Sequence, residues 1–162
     1  MKKIILLFYL LIFLVSNCSI QMKQPPVYQE KEEKVKIDGG EEYKEKANQA
    51  TENFHKLFNE GKYQELFDLI DDKSQLKSDR VYWDRRLNDI KTDLRRFENS
   101  KFTRDNTFKK SKTVEVRTEY ISKYEKDNSD KPRYELFYWE IYENGDVKLL
   151  EYKNGIDYEK GY

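Results

Sequence analysis

The sequence predicts an α+β fold in which about three N-terminal helices are followed by a four-stranded antiparallel sheet. Three observations predict it. From Glu41 to Phe97 the apolar residues recur with the 3.6-residue period of a helix buried on one face. After Asn99 the period falls to two, the signature of half-buried strands. The last two alternating runs are joined by Asn144-Gly145, a two-residue hairpin signal of the type I′ kind. A run of helices before hairpin-linked strands packs as α+β rather than as alternating parallel units.

At 162 residues the chain suits one domain with a leading or trailing segment. It carries 31 basic and 31 acidic residues, which argues against a generic polyanion binder. One Cys excludes an intramolecular disulfide and a Cys-based zinc site, and one His excludes a multi-His metal site. The charged fraction of 38% is high, yet Trp, Tyr and Phe make up 15%, which is too aromatic for a disordered chain.

The first segment has the parts of an export signal. Lys2 and Lys3 form a positive start, and residues 4–15 are an unbroken apolar run. That run is shorter than the roughly 20 residues needed to span a bilayer but suits the core of a secretion signal. With Cys18 directly after it, the string Val15-Ser16-Asn17-Cys18 resembles the lipobox of bacterial lipoproteins, with Asn17 where Gly or Ala is usual. The resemblance implies cleavage before Cys18, attachment of palmitate-type acyl chains to its sulfur, and a lipid-anchored cell-envelope protein. Two or more acyl chains are physically sufficient for stable anchoring. Ser19, rather than Asp, after the Cys favours the outer membrane by the sorting rule of Gram-negative bacteria. Without lipidation the same segment reads as an ordinary secretion signal. The expected organisation is a signal peptide over 1–17, a lipidated Cys and tether over 18–40, the domain over 41–153 and a tail over 154–162. The tether assignment rests on Pro25-Pro26, a Glu/Lys stretch and Gly39-Gly40.

The first helix starts at Glu41, with Glu41 and Glu42 at the positive end of its dipole, and stops at Gly61. Its stripe is Tyr43, Ala47, Ala50, Phe54, Leu57 and Phe58. A second helix spans residues 62–71, a polar link follows to 79, and a third helix runs over 79–98 with Trp83, Leu87, Ile90, Leu94 and Phe97 inward. Strands are expected at 102–109, 113–124, 133–143 and 146–152. The third has aromatics on both faces, so it is expected to be interior and covered in part on both sides. The right-handed twist of such a sheet predicts a curved surface whose concave side holds the first helix.

The helix order and the string Phe54-His55-Lys56-Leu57-Phe58-Asn59-Glu60-Gly61-Lys62-Tyr63-Gln64-Glu65-Leu66-Phe67 look like the NTF2-like and cystatin-like superfamilies. That resemblance implies a cone with a pocket between sheet and helices, and no particular chemistry, since one fold hosts many functions. NTF2-like enzymes work with Asp, His or Tyr deep in the cone, for which Tyr82, Tyr120, Tyr138 and Asp84 are the matching candidates.

Read by themselves, the residues point to no catalytic group, metal or cofactor. His55 falls on the flank of the first helix stripe, where a surface or boundary position is expected. Glu140 alternates with Tyr138 and Tyr142, which places it at a rim or in solvent. Asp68, Asp71 and Asp72 lack calcium-loop spacing and read as a solvated loop. The basic residues concentrate between 85 and 112, and Arg85, Arg86, Arg95 and Arg96 near Trp83 suit an anionic surface such as lipid head groups. Nucleic acid is a poor partner for an exported lipoprotein. The expected function is a non-catalytic binding module at the membrane, its partner an envelope protein, a peptide or a small apolar ligand. The alternative is an NTF2-like enzyme of isomerase, dehydratase or hydrolase type with a Tyr/Asp pocket.

Overall fold

A computed structural model describes residues 34–36 and 40–156. The elements in chain order are β1 (Val35–Lys36), α1 (Glu41–Glu60), α2 (Tyr63–Asp68), α3 (Gln75–Ser78), α4 (Arg80–Leu94), β2 (Phe97–Lys109), β3 (Thr113–Tyr124), β4 (Arg133–Tyr142) and β5 (Val147–Gly155). The architecture is α+β, with the helices preceding four of the five strands of an open antiparallel sheet in the order β1-β2-β3-β4-β5.

The helix ends follow from local chemistry. Gly40 and Gly61 both take left-handed backbone, at φ 83° and 71°. Beyond Gly61 the Lys62 N–H returns to the Leu57 carbonyl, which satisfies a terminal acceptor that the helix leaves open. Asp79 caps α4 by accepting the Tyr82 N–H at 2.8 Å.

Several boundaries differ from the sequence reading: α2 ends at Asp68, and β5 runs to Gly155, into the expected tail. The fifth strand, β1, lies inside the expected tether and pairs Val35 and Lys36 with Lys109 and Phe108. The polar link contains the single turn α3, capped by Ser74. The last helix stops at Leu94, because Arg95 takes φ 63° and Lys126 N–H claims the Leu94 carbonyl. Phe97, which fits the helix stripe, instead opens β2. Finally, the β4–β5 connection is not type I′. Tyr142 and Asp146 bracket three residues, and of these only Gly145 has positive φ, at 90°. That matches a type I turn closed by a left-handed glycine.

One face of the sheet packs on the helices. Val116 and Tyr124 of β3, Phe137 and Trp139 of β4, and Leu149 and Tyr152 of β5 meet Phe54, Phe58, Leu66, Trp83 and Leu87. Phe54 lies edge-on to Phe137 at 5.1 Å and to Trp83 at 6.3 Å. The Trp139 indole N–H donates to Thr51 Oγ1 at 3.0 Å, fixing α1 over β4. The β5 edge is closed by a parallel bridge between Ile70 and Leu149.

Candidate functional site

Helix α1 turns His55 toward the sheet one position after Phe54. The ring is 5% exposed, not at the surface, and lies flat on Phe97 at 3.6 Å between centroids. Its Nε2 meets Glu135 Oε2 of β4 at 2.9 Å. Glu135 is fully buried. Its second oxygen accepts from Tyr124 at 2.7 Å, Tyr152 at 2.6 Å and the Asn154 amide at 3.3 Å, and Ser122 donates to the first. Burial pushes this carboxyl up, but the His55 charge and hydrogen bond, with the Ser122 and Tyr152 donors, outweigh it and hold the pKa at about 2. Burial, then the neighbouring Glu135 charge, raises Tyr124 and Tyr152 well above the usual phenol range. Both phenols therefore remain donors at neutral pH.

His55 alone of this cluster reaches an open groove of about 630 Å³. His55, Lys56, Asn59, Arg96, Phe97 and Ser100 line it. Asn59 is committed to structure, donating to the Phe97 carbonyl and accepting the Phe97 N–H. The His55 Nδ1 has no hydrogen-bond partner among the described residues. The ring as a whole is one wall of the groove.

A second set of buried charges occupies the opposite face of the sheet. Glu115 and Glu140 are each 2% exposed and stand directly opposite each other on β3 and β4. Lys110 bridges them, at 2.6 Å to Glu140 and 3.0 Å to Glu115. Lys34 and Arg117 add contacts of 2.7 Å to Glu115, and Thr113 donates to Glu140. Burial raises the Glu115 carboxyl, but the three cations overcome it and hold its pKa at about 2. Glu140 is therefore not a rim or solvent residue: the sheet twin of Glu115 is buried beside a lysine.

The residues expected from sequence separate in space. Tyr120 faces the helices and donates to Asn48 at 2.5 Å, whereas Tyr138 lies on the other face under the Arg117 guanidinium. Tyr82 is 47% exposed and receives Arg86, and Asp84 is paired with Arg80 at 2.7 Å. A Tyr/Asp pocket built from these four does not form. Arg85, Arg86, Arg95 and Arg96 also diverge. Arg86 lies over the Tyr152 ring, Arg95 reaches Glu125 at 3.3 Å, Arg96 enters the groove and Arg85 stays exposed. Asp71 is buried rather than solvated and accepts from Tyr142 at 2.6 Å. Among the described residues no group of His, Cys, Asp and Glu side chains is arranged to hold a metal ion. Cys18 lies outside the described residues.

No family model, curated protein or solved structure matches the chain. Sequence reasoning missed the pair because His55 sits one residue off the helix stripe and Glu135 continues the β4 stripe with a charge instead of an apolar side chain. The available signal was Glu135 itself: strict alternation from Phe137 and Trp139 puts it on the same, helix-facing side of β4.

Proposed function

We propose that this chain is a lipid-anchored protein of the bacterial cell envelope whose domain acts as a non-catalytic binding module. The anchor reading rests on Lys2-Lys3, the apolar run and Cys18. Among the described residues no helix is long and apolar enough to cross a membrane. The binding reading is carried by one observation: Phe54, Trp83, Phe137, Trp139 and Leu149 fill the space between helices and sheet. In an NTF2-like or cystatin-like cone, that space is where a pocket would open. Helices on one face of an antiparallel meander are what supports the cone-like fold within this proposal. The ligand surface is then the groove over His55, where a buried, oriented imidazole and an aromatic ring meet open solvent.

The enzyme reading draws support from a different pair than Tyr and Asp. A carboxylate orients the His55 ring, and an oriented imidazole is the raw material of general-base catalysis. A nucleophile or a placed electrophile within reach of Nδ1 is the missing element, so binding is the stronger conclusion.

Two measurements test it. Cys18→Ser abolishes palmitate incorporation and releases the protein from membranes, and unchanged retention overturns the anchor. A photocrosslinking residue at Ser100 in the anchored protein yields a discrete adduct in native membranes that Lys56→Glu removes. Absence of any adduct overturns the groove as the ligand surface.

A further inference from the structure

The charges around the groove are unevenly matched. Three carboxylates line it, Glu52, Glu98 and Glu125. Glu98 is paired with Lys123 at 3.4 Å and Glu125 with Arg95 at 3.3 Å. Lys56 and Arg96 are exposed, line the same groove and have no ion pair among the described residues. Two uncommitted cations therefore face one uncommitted carboxylate, Glu52. His55 lines the same groove, its side chain 94% buried and its Nδ1 without a hydrogen-bond partner among the described residues. Because the ionised Glu135 carboxylate takes the Nε2 proton, Nδ1 is the ring's one remaining polar atom.

The remaining geometry fixes these groups in place. Arg95 holds φ 63° and ψ −111°, an unusual backbone for a residue with a side chain. Hydrogen bonds flank it on each side, Arg95 N–H to the Lys91 carbonyl and Glu125 N–H to the Arg96 carbonyl. The turn they enforce sends Arg96 toward the groove and lays Phe97 on the His55 ring. A charged guanidinium and an ammonium on one opening, neither engaged in an ion pair among the described residues, make an anion site. Guanidinium and ammonium groups bind carboxylate and phosphate oxygens by charge-assisted hydrogen bonds.

We propose that the groove over His55 binds an oxyanion, a phosphate or carboxylate group, through Lys56 and Arg96, beside the His55 ring. The proposal rests on reading this groove as the ligand surface. It assigns Arg96 to a compact site with Lys56 rather than to a belt of arginines along α4.

His55 is the only histidine, so its ring Cε1–H resonance is a single, unambiguous reporter. The full chain, purified from membranes in a non-ionic detergent, is titrated at constant ionic strength with inorganic phosphate, with acetate and with a short-chain phosphatidylglycerol. The expected result is a saturable shift of the His55 resonance. Lys56→Gln/Arg96→Gln weakens it at least about tenfold, and Arg85→Gln, outside the groove, leaves it unchanged. A lower half-saturation for the phospholipid than for phosphate assigns the oxyanion to a lipid head group, and the reverse order to a free ligand. Lack of a saturable shift with all three, or equal weakening by Arg85→Gln, overturns the site. A failed titration beside a Ser100 adduct that Lys56→Glu removes would refute the anion chemistry while leaving the binding groove standing.

Discussion

Glu135 and Glu140 lie five residues apart on one strand, and that odd spacing puts them on opposite faces of the sheet. Both are buried, yet the two faces solve the cost of burying a carboxylate differently. On the helix side Glu135 is ringed by one imidazole, three hydroxyls and an amide. Glu135 itself is fully buried and does not line the groove. On the other side Glu140 and Glu115 share Lys110, and Glu115 also holds Lys34 and Arg117. Long cationic side chains can bury their stems along the sheet and still reach a charge. The first cluster is closed and irreplaceable, while the second is redundant.

The difference predicts unequal damage. Glu135→Ala strands five donors in the core and costs about 3–5 kcal/mol, the range for breaking a buried charged network by removing one partner. Lys110→Met leaves Glu115 with two cations and Glu140 with Thr113, so its cost falls to about 2–3 kcal/mol. Adding Glu140→Gln to Lys110→Met recovers most of that loss, because the facing charges no longer repel. Urea unfolding at neutral pH ranks the three variants. Equal costs for Glu135→Ala and Lys110→Met would remove the distinction between the faces.

Acid sharpens the same comparison. Glu115 and Glu135 both have folded pKa values of about 2 against an ordinary 4.5. A carboxylate depressed in the folded state stabilises fully above its unfolded value and loses that contribution as pH falls toward the folded one. The urea midpoint should therefore hold down to about pH 4.5 and drop steeply between there and pH 2. Glu115→Gln and Glu135→Gln each remove part of that slope. A slope that neither substitution changes would place the acid sensitivity elsewhere.

What the sequence revealed of these features follows from period and length. Helix α1, its glycine stop and strands β3 and β4 are long and strongly periodic, so their pattern survives any local exception. Strand β1 has two residues and no pattern to read, and it exists only because β2 offers an edge. Phe97 satisfies the helical period and the strand equally, and what decides it is the backbone reversal at Arg95. The buried carboxylates were legible only by face. Alternation assigns Glu115 and Glu140 to the face opposite Val116, Phe137 and Trp139. Nothing in one strand says that Lys110, from the turn after β2, will cover that side.

The smallest expected effect lies in the turn beside the closed cluster. Arg95 keeps positive φ without being glycine, at a cost of about 1–3 kcal/mol that the flanking hydrogen bonds outweigh. Arg95→Gly relieves the strain but frees the unfolded chain by up to about 1 kcal/mol, and it gives up a half-exposed pair with Glu125 that contributes little. The net expectation is a stabilisation of about 1 kcal/mol. The same relief loosens the segment that presses Phe97 on His55. Amide exchange at Phe97, whose N–H is held by Asn59, should then quicken even as global stability rises. Opposite signs in those two readouts would mean that strain is held at the groove to position its aromatic wall. A gain in stability with unchanged exchange would make Arg95 a mere helix terminator, and the Glu135 cluster alone would hold His55 in place.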